Sequence, residues 1–162
     1  MEPTVNDNLM GLVNHHGFAI CFQHSVNNNI EKCRNLSLLL LNLDGFEQIN
    51  EKFGDQSGDL VLTSLAKILS DCISSQDQVF RYGEEKFTVI LNDTDENKIP
   101  IIIARIKKAI LENALLLEFN VSCSIGSSNY QEEDDLDSLF ERAENALYQA
   151  EIDTEYEQEF FA

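Results

Sequence analysis

Seven residues, RYGEEKF (Arg81 to Phe87), gather the side chains of this chain best suited to chemistry. DQVF precedes them and TVIL follows, two short apolar runs around Gly83, a pattern that predicts a β-hairpin. The tip carries Glu84, Glu85 and Lys86 in succession. Three charged side chains in a row at a tight turn pose the question of an active site or the remains of one. Elsewhere, Cys21 and His24 stand three apart and one helix face could offer both to a metal, but no second pair at ligand spacing supports zinc. His15 and His16 are adjacent and point apart on a helix.

The elements that must position the tip alternate helix and strand. Residues 8–34 carry Phe18, Cys21, Phe22, Val26 and Ile30 at helical spacing, which predicts an N-terminal helix. LSLLLLNL (36–43) reads as a strand buried on both faces. Asp44-Gly45 ends it, and Phe46, Ile49 and Phe53 predict a short helix. Gly58-Asp59 opens the next, with Val61, Leu65, Ile68, Leu69 and Cys72 as its inner stripe. Hairpin strands follow near 77–82 and 86–91, then a helix with Ile99, Ile102, Ile103, Ile106 and Ile110 on one face. FNVSCSIGSS (119–128) is a strand expected to end at Gly126. After the acidic loop QEEDDLD, Leu136, Leu139, Phe140, Ala143 and Leu147 mark a last helix, and EQEFFA is a candidate edge strand. Helices covering one face of a largely antiparallel sheet give an α+β fold with a βαββαβ, ferredoxin-like core. The expectation is one stand-alone domain over 1–162.

The chain has 162 residues, 43% hydrophobic and 25% charged, enough to bury a core without staples. No apolar run is long enough to span a membrane, and the first residues lack a secretory pattern. Four scattered cysteines (Cys21, Cys33, Cys72, Cys123) read as buried thiols in a reducing cytoplasm. Eleven basic against 29 acidic residues give a net charge of −18. Such a surface repels nucleic acid and anionic lipid, whose binding needs Lys and Arg against phosphate. A basic protein partner remains compatible with it, as does plain solubility.

Several stretches in register resemble the GGDEF family, the diguanylate cyclases that make cyclic di-GMP from two GTP. DNLMGLVNHHGF (7–18), NLDGFEQINE (42–51), GDQSGDLVL (54–62), RYGEEKF, VSCSIG (121–126) and RAENALYQAE (142–151) each match a family motif in order. The resemblance covers essentially the whole chain and implies the nucleotide-cyclase palm for the core. It also assigns roles. Metal-holding positions fall on Asn42 and Glu85, and guanine-reading positions on Asn50 and Asp59. The product-inhibition R-x-x-D falls on Ser74 to Asp77, and phosphate-contacting lysines fall on Glu47 and Glu151.

Departures from the pattern set the functional expectation. Asn42 is a neutral donor where the family has Asp. In the signature Gly83, Glu84, Glu85, Lys86, Phe87, Glu84 replaces a glycine that lets nucleotide approach, and Lys86 replaces an acid. Ser74 removes the inhibitory guanidinium and leaves Asp77 alone. Thr154, Glu155 and Tyr156 stand in for a closing G-R-N. Asn50 and Asp59 keep the family's residue types, although Asp59 before an apolar run also suits a helix N-cap and Asn50 could tie down the adjacent loop. The structural reading of that pair is preferred.

The expectation is therefore a degenerate, catalytically inactive domain in cyclic di-GMP signalling, with no cofactor or bound metal, regulating a protein partner by contact. The candidate surface comprises Glu84, Glu85, the loop acids Glu132 to Asp135, and the tail with Phe160 and Phe161. The alternative is a sensor binding GTP or cyclic di-GMP without cyclase activity. Oligomeric state is open.

Overall fold

The computed structural model describes residues 6–7, 12–13, 20–27, 35–81, 83 and 85–161, with the backbone alone at 6–7, 12–13 and 154–161. In chain order these form β1 (Asn6–Asp7), β2 (Leu12–Val13), α1 (20–27), β3 (Leu36–Asp44), α2 (Phe46–Phe53) and α3 (Asp55–Cys72). There follow β4 (Gln78–Arg81), β5 (Lys86–Asn92), α4 (Ile99–Glu112), α5 (Ala114–Glu118), β6 (Ser122–Asn129) and α6 (Leu136–Phe161).

β3 organises the sheet because six of its residues are leucine and both its faces must be covered. It pairs antiparallel with β5 on one side and β6 on the other, and β4 closes the hairpin onto β5. The full order is β1-β2-β4-β5-β3-β6, with β2 parallel to β4. Leu39, Leu41 and Leu43 face a core shared with Leu65 and Leu69 of α3, Ile106 of α4 and Leu116 of α5. Leu36, Leu38 and Leu40 face the opposite way, toward Phe22 of α1 and Leu139, Ala143 and Leu147 of α6. Each fully buried leucine contributes about 2 kcal/mol of transfer free energy, so this strand alone anchors both layers.

Several expectations change at this level. Helices cover both faces of the sheet, not one. A β1/β2 pair precedes α1 where a continuous helix was expected, because β2 finds a partner in β4. α3 begins at Asp55, four residues before Asp59, behind the turn at Gly54. Gly54 sits at φ 89°, a conformation that side chains resist, and its carbonyl accepts the amides of Ser57 and Gly58. β6 does not stop at Gly126 but runs on to Asn129. A Cβ at Gly126 would lie 2.2 Å from the Leu147 nitrogen and 2.6 Å from the Ala143 oxygen, so the glycine is there to let α6 close onto the sheet. EQEFFA continues α6 as helix through Phe161 rather than adding an edge strand. Phe53 was expected inside; it is 44% exposed and meets Phe119 edge-on instead.

Candidate functional site

The end of β3 and the start of α2 open onto a pocket of about 590 Å³, whose lining includes Asn42, Asp44, Glu47, Glu85, Ser124 and Glu151. The hairpin tip is fastened beside it: the Leu43 amide donates to the Glu85 carbonyl at 3.0 Å. Gly83 takes φ 85° at the turn, and the Arg81 Nε donates to its carbonyl at 3.0 Å. Among the described residues that line this pocket are four carboxylates and neither lysine nor arginine. Asp44 accepts from the hydroxyls of Ser122 at 3.1 Å and Ser124 at 3.4 Å.

Asn42 is the pivot of the site. Its Nδ2 donates to Glu151 Oε1 on α6 at 2.8 Å, while its buried Oδ1 has no hydrogen-bond partner among the described residues. Register places Asn42 opposite Lys86 on β5 and opposite Ser124 on β6. Residues paired in this way project to one face, so Lys86, Asn42 and Ser124 form a row across three strands. A second, smaller groove of about 220 Å³ lies between β5 and α6; Lys86, Glu144, Tyr148 and Glu151 are on its walls over Leu40, Phe87 and Leu147. Glu151 therefore borders both cavities. Three positions treated separately in the sequence, 42, 86 and 151, are one neighbourhood in space.

Asn50 on α2 lies against Gly58 of α3, the residue just before Asp59. Asn50 Oδ1 is buried and has no partner among the described residues, a condition that costs about 1–3 kcal/mol unless a donor arrives. The backbone, not the side chain, ties the loop: the Gly54 amide donates to the Asn50 carbonyl at 2.9 Å. Asp59 is exposed and lies inside α3, so it caps nothing; the N-cap is Gly54. Both structural explanations offered for this pair are thus corrected, and the reason is that α3 starts one turn earlier than its apolar stripe suggested.

Ser74 and Asp77 form a closed turn. Asp77 accepts from the Ser74 amide at 3.0 Å, the Ser74 hydroxyl at 2.9 Å and the Asn92 amide at 2.7 Å. Its carboxylate is committed to joining the α3–β4 loop to the end of β5. A cavity of about 440 Å³ beside it is also lined by Lys98, just before α4, and by Arg105 of α4, residues the sequence reading did not single out. Both are exposed, and Arg105 Nη1 donates to the Cys72 carbonyl at the end of α3 at 3.2 Å, which brings α4 to this turn.

The acidic loop is also less free than expected. Asp134 forms a fork with Arg142 on α6, with Nη2 to Oδ2 at 2.7 Å, and Arg142 reaches the Asn129 carbonyl at 2.7 Å. The Arg142 hydrogen bond holds the Asp134 carboxyl at about 2, below its usual range. Asp135 is lowered as well, because it accepts from the Ser138 amide at the start of α6. Glu84 and the side chains of Phe160 and Phe161 lie outside the described residues. Cys21, Cys72 and Cys123 are free thiols, and burial with Asp44 nearby pushes Cys123 up to about 12. Cys33 and the adjacent His15 and His16 lie outside the described residues. No group of three His, Cys, Asp or Glu among the described residues could hold a metal by itself, Cys21 and His24 included.

The class is that of α+β domains with a βαββαβ palm, here with the signature hairpin fastened against the end of the first long strand. The family model for the diguanylate cyclase GGDEF domain matches residues 4–155, and the chain belongs to that family. Over 157 residues it is 34% identical to diguanylate cyclase A of Treponema denticola, covering 93% of this chain and 42% of that protein. It is 34% identical over 144 residues to diguanylate cyclase DgcS of Shewanella oneidensis, covering 89% of this chain and 48% of that one. The chain thus spans less than half the length of these curated relatives. Diguanylate cyclase SiaD, solved in complex with its activator SiaC from Pseudomonas aeruginosa, superposes with a TM-score of 0.84 at 23% identity over 93% of this chain and 59% of that one.

These relatives overturn the expectation that the chain is not an enzyme: proteins a third identical to it are named diguanylate cyclases, and membership of their family points to an enzyme. Two of the departures from the family pattern, Asn42 and Glu151, share a hydrogen bond, and Lys86 and Glu151 border one groove. Among the described residues no helix is long and apolar enough to cross a membrane.

Proposed function

We propose that the chain is the guanine-nucleotide domain of a cyclic di-GMP signalling protein, taking GTP into the pocket beyond β3. The observation that carries this reading is the buried Oδ1 of Asn50, without a partner among the described residues and lying against Gly58, next in sequence to an Asp59 that has no capping role. Two acceptors held one helix joint apart suit the N1–H and 2-amino donors of guanine, and adenine offers no such pair at that edge. Asn42 Oδ1 and the carboxylates of Asp44 and Glu85 are hard oxygen donors, so the residues present fit a divalent cation whose remaining ligands come from the triphosphate. Such a cation supplies neutralising charge for attack of a 3′-hydroxyl on an α-phosphorus with loss of pyrophosphate.

Glu47 and Glu151 stand where the family pattern has lysines, so this chain leans more heavily on cations than that pattern does. Lys86, across the ladder from Asn42, is the one basic side chain bordering either the pocket or its neighbouring groove among the described residues. Near-saturating GTP with Mg²⁺ should raise stability by about 2.7 kcal/mol at a hundredfold excess over the dissociation constant, and ATP should do less. Thermal melts with GTP, ATP and cyclic di-GMP, together with chromatography for cyclic di-GMP formed from GTP, test this. Unmoved melts in every nucleotide and no product would reject the reading.

A protein regulator is the second element of the proposal. Tyr148 is 65% exposed and Ile152, one turn on along α6, is 39% exposed, next to Glu144 and Glu151 at the groove. Aromatic and aliphatic side chains rimmed by acids suit a partner with a basic rim. Co-purification with one stoichiometric partner, lost on Glu144→Lys and Tyr148→Ala, would support contact there; binding that survives both moves the interface elsewhere.

A further inference from the structure

We infer that Gly58 is the residue that sets base selectivity, by leaving the space in which Asn50 is held; this rests on the guanine reading above. A Cβ at position 58 would stand 1.8 Å from Asn50 Oδ1, 2.9 Å from Asn50 Cγ and 3.3 Å from Phe46 Cζ. Two of those three distances are shorter than real carbon contacts, and the crowded atom is the very acceptor that has no donor among the described residues. Gly58 is buried within α3 and does not take a left-handed backbone, so conformational freedom does not explain a glycine there. Helices are weakened by glycine relative to alanine, and what this position gives in return is room, chiefly for Asn50 and secondarily for Phe46 Cζ.

The consequence is directional. With Gly58 in place, α3 packs against the last turn of α2 closely enough to bury the Asn50 amide and fix its rotamer. Any side chain at 58 must push the Asn50 amide out of that position, because the other neighbour, Phe46, is itself buried in the core. Gly58 thus acts through Asn50 and touches no ligand; it is a positioning residue. Asp59 follows it directly in α3, so the same helical turn supplies the space for one acceptor and the second acceptor itself.

The test is a double-mutant cycle on the whole chain, with wild type, Gly58→Ala, Asn50→Ala and the combination. Isothermal titration with Mg²⁺ and GTP, ITP or ATP reads selectivity, and thermal melts read folding. Gly58→Ala should reduce the GTP-over-ATP preference by at least about tenfold, to the level of Asn50→Ala, and ITP should lose its place between the two. Its melting loss should shrink by more than half in the Asn50→Ala background, since the collision partner is then gone. Unchanged base preference in a folded Gly58→Ala protein overturns the inference, as do melting losses that simply add. A wild-type chain that binds GTP and ATP alike, or neither, overturns the guanine reading instead. Coupled melting losses in that case still support Gly58 as the residue that holds Asn50.

Discussion

Asparagine at position 42 changes the site in a way that a missing charge alone does not describe. Its amide offers a donor to Glu151, and its carbonyl has no partner among the described residues, so one side chain spans the helix α6 and the pocket. An aspartate there would lose the donor and set two carboxylates at hydrogen-bond distance. We expect Asn42→Asp to lower stability by about 1–3 kcal/mol in urea titration. The same variant should tighten divalent-cation dependence about tenfold in the presence of GTP, because a carboxylate is a stronger ligand for Mg²⁺ than an amide oxygen. Stability and cation affinity moving in opposite directions is the signature to look for. Both falling together would show that the Glu151 contact dominates the site.

At the scale of elements, two closures carry the site. The first is α6 against β6 at Gly126, where backbone meets backbone. Gly126→Ala should cost about 3 kcal/mol or more, read from the urea midpoint, since neither a strand nor a helix axis can yield by the required amount. The second is α6 against β5, where Lys86 and Glu151 face one groove. If they serve as one charged unit, Lys86→Glu and Glu151→Lys will each weaken GTP binding about tenfold, and the exchanged pair will recover most of the loss. Additive losses in that cycle would show two unrelated surface charges. Such a cycle asks about contact rather than residue type, which is the question left open when each position is compared with a family pattern by itself.

For the whole molecule, net charge is the governing quantity. A balance of −18 makes the compact state repel itself, so moderate salt should raise the melting temperature by screening. One group moves the other way with acid. The Asp134 carboxyl titrates at about 2 in the folded chain because Arg142 hydrogen-bonds it, below its ordinary 3.8. Its unfolded form therefore takes up a proton first as pH falls. The stability it contributes is present above about pH 4 and is lost as pH drops through about 2. Urea midpoints between pH 5 and pH 2 should fall less steeply in Arg142→Gln than in the wild type; equal slopes would mean that the fork contributes nothing.

The sequence by itself determined the order of elements in the palm, the leucine strand at its centre, the hairpin and the family. Those follow from periodicity, apolar runs and motifs, all of which are local along the chain. It also marks Asn42, Lys86 and Glu151 as departures from the family pattern, each taken by itself. Only the tertiary structure joined them, because Asn42 and Glu151 are 109 residues apart and meet through the closure of α6. The start of α3 was misplaced because an apolar stripe marks where a helix is buried, whereas its first turn, at Asp55, is exposed. Gly126 was taken as a strand end for a similar reason: a glycine breaks patterns in sequence, and its use as a close contact shows only when the opposing backbone is present. Gly58 reads in the sequence only as the opening of a helix. Its value lies in the absence of an atom, and an absence gains meaning only when the neighbour that needs the space, Asn50 Oδ1, has been placed.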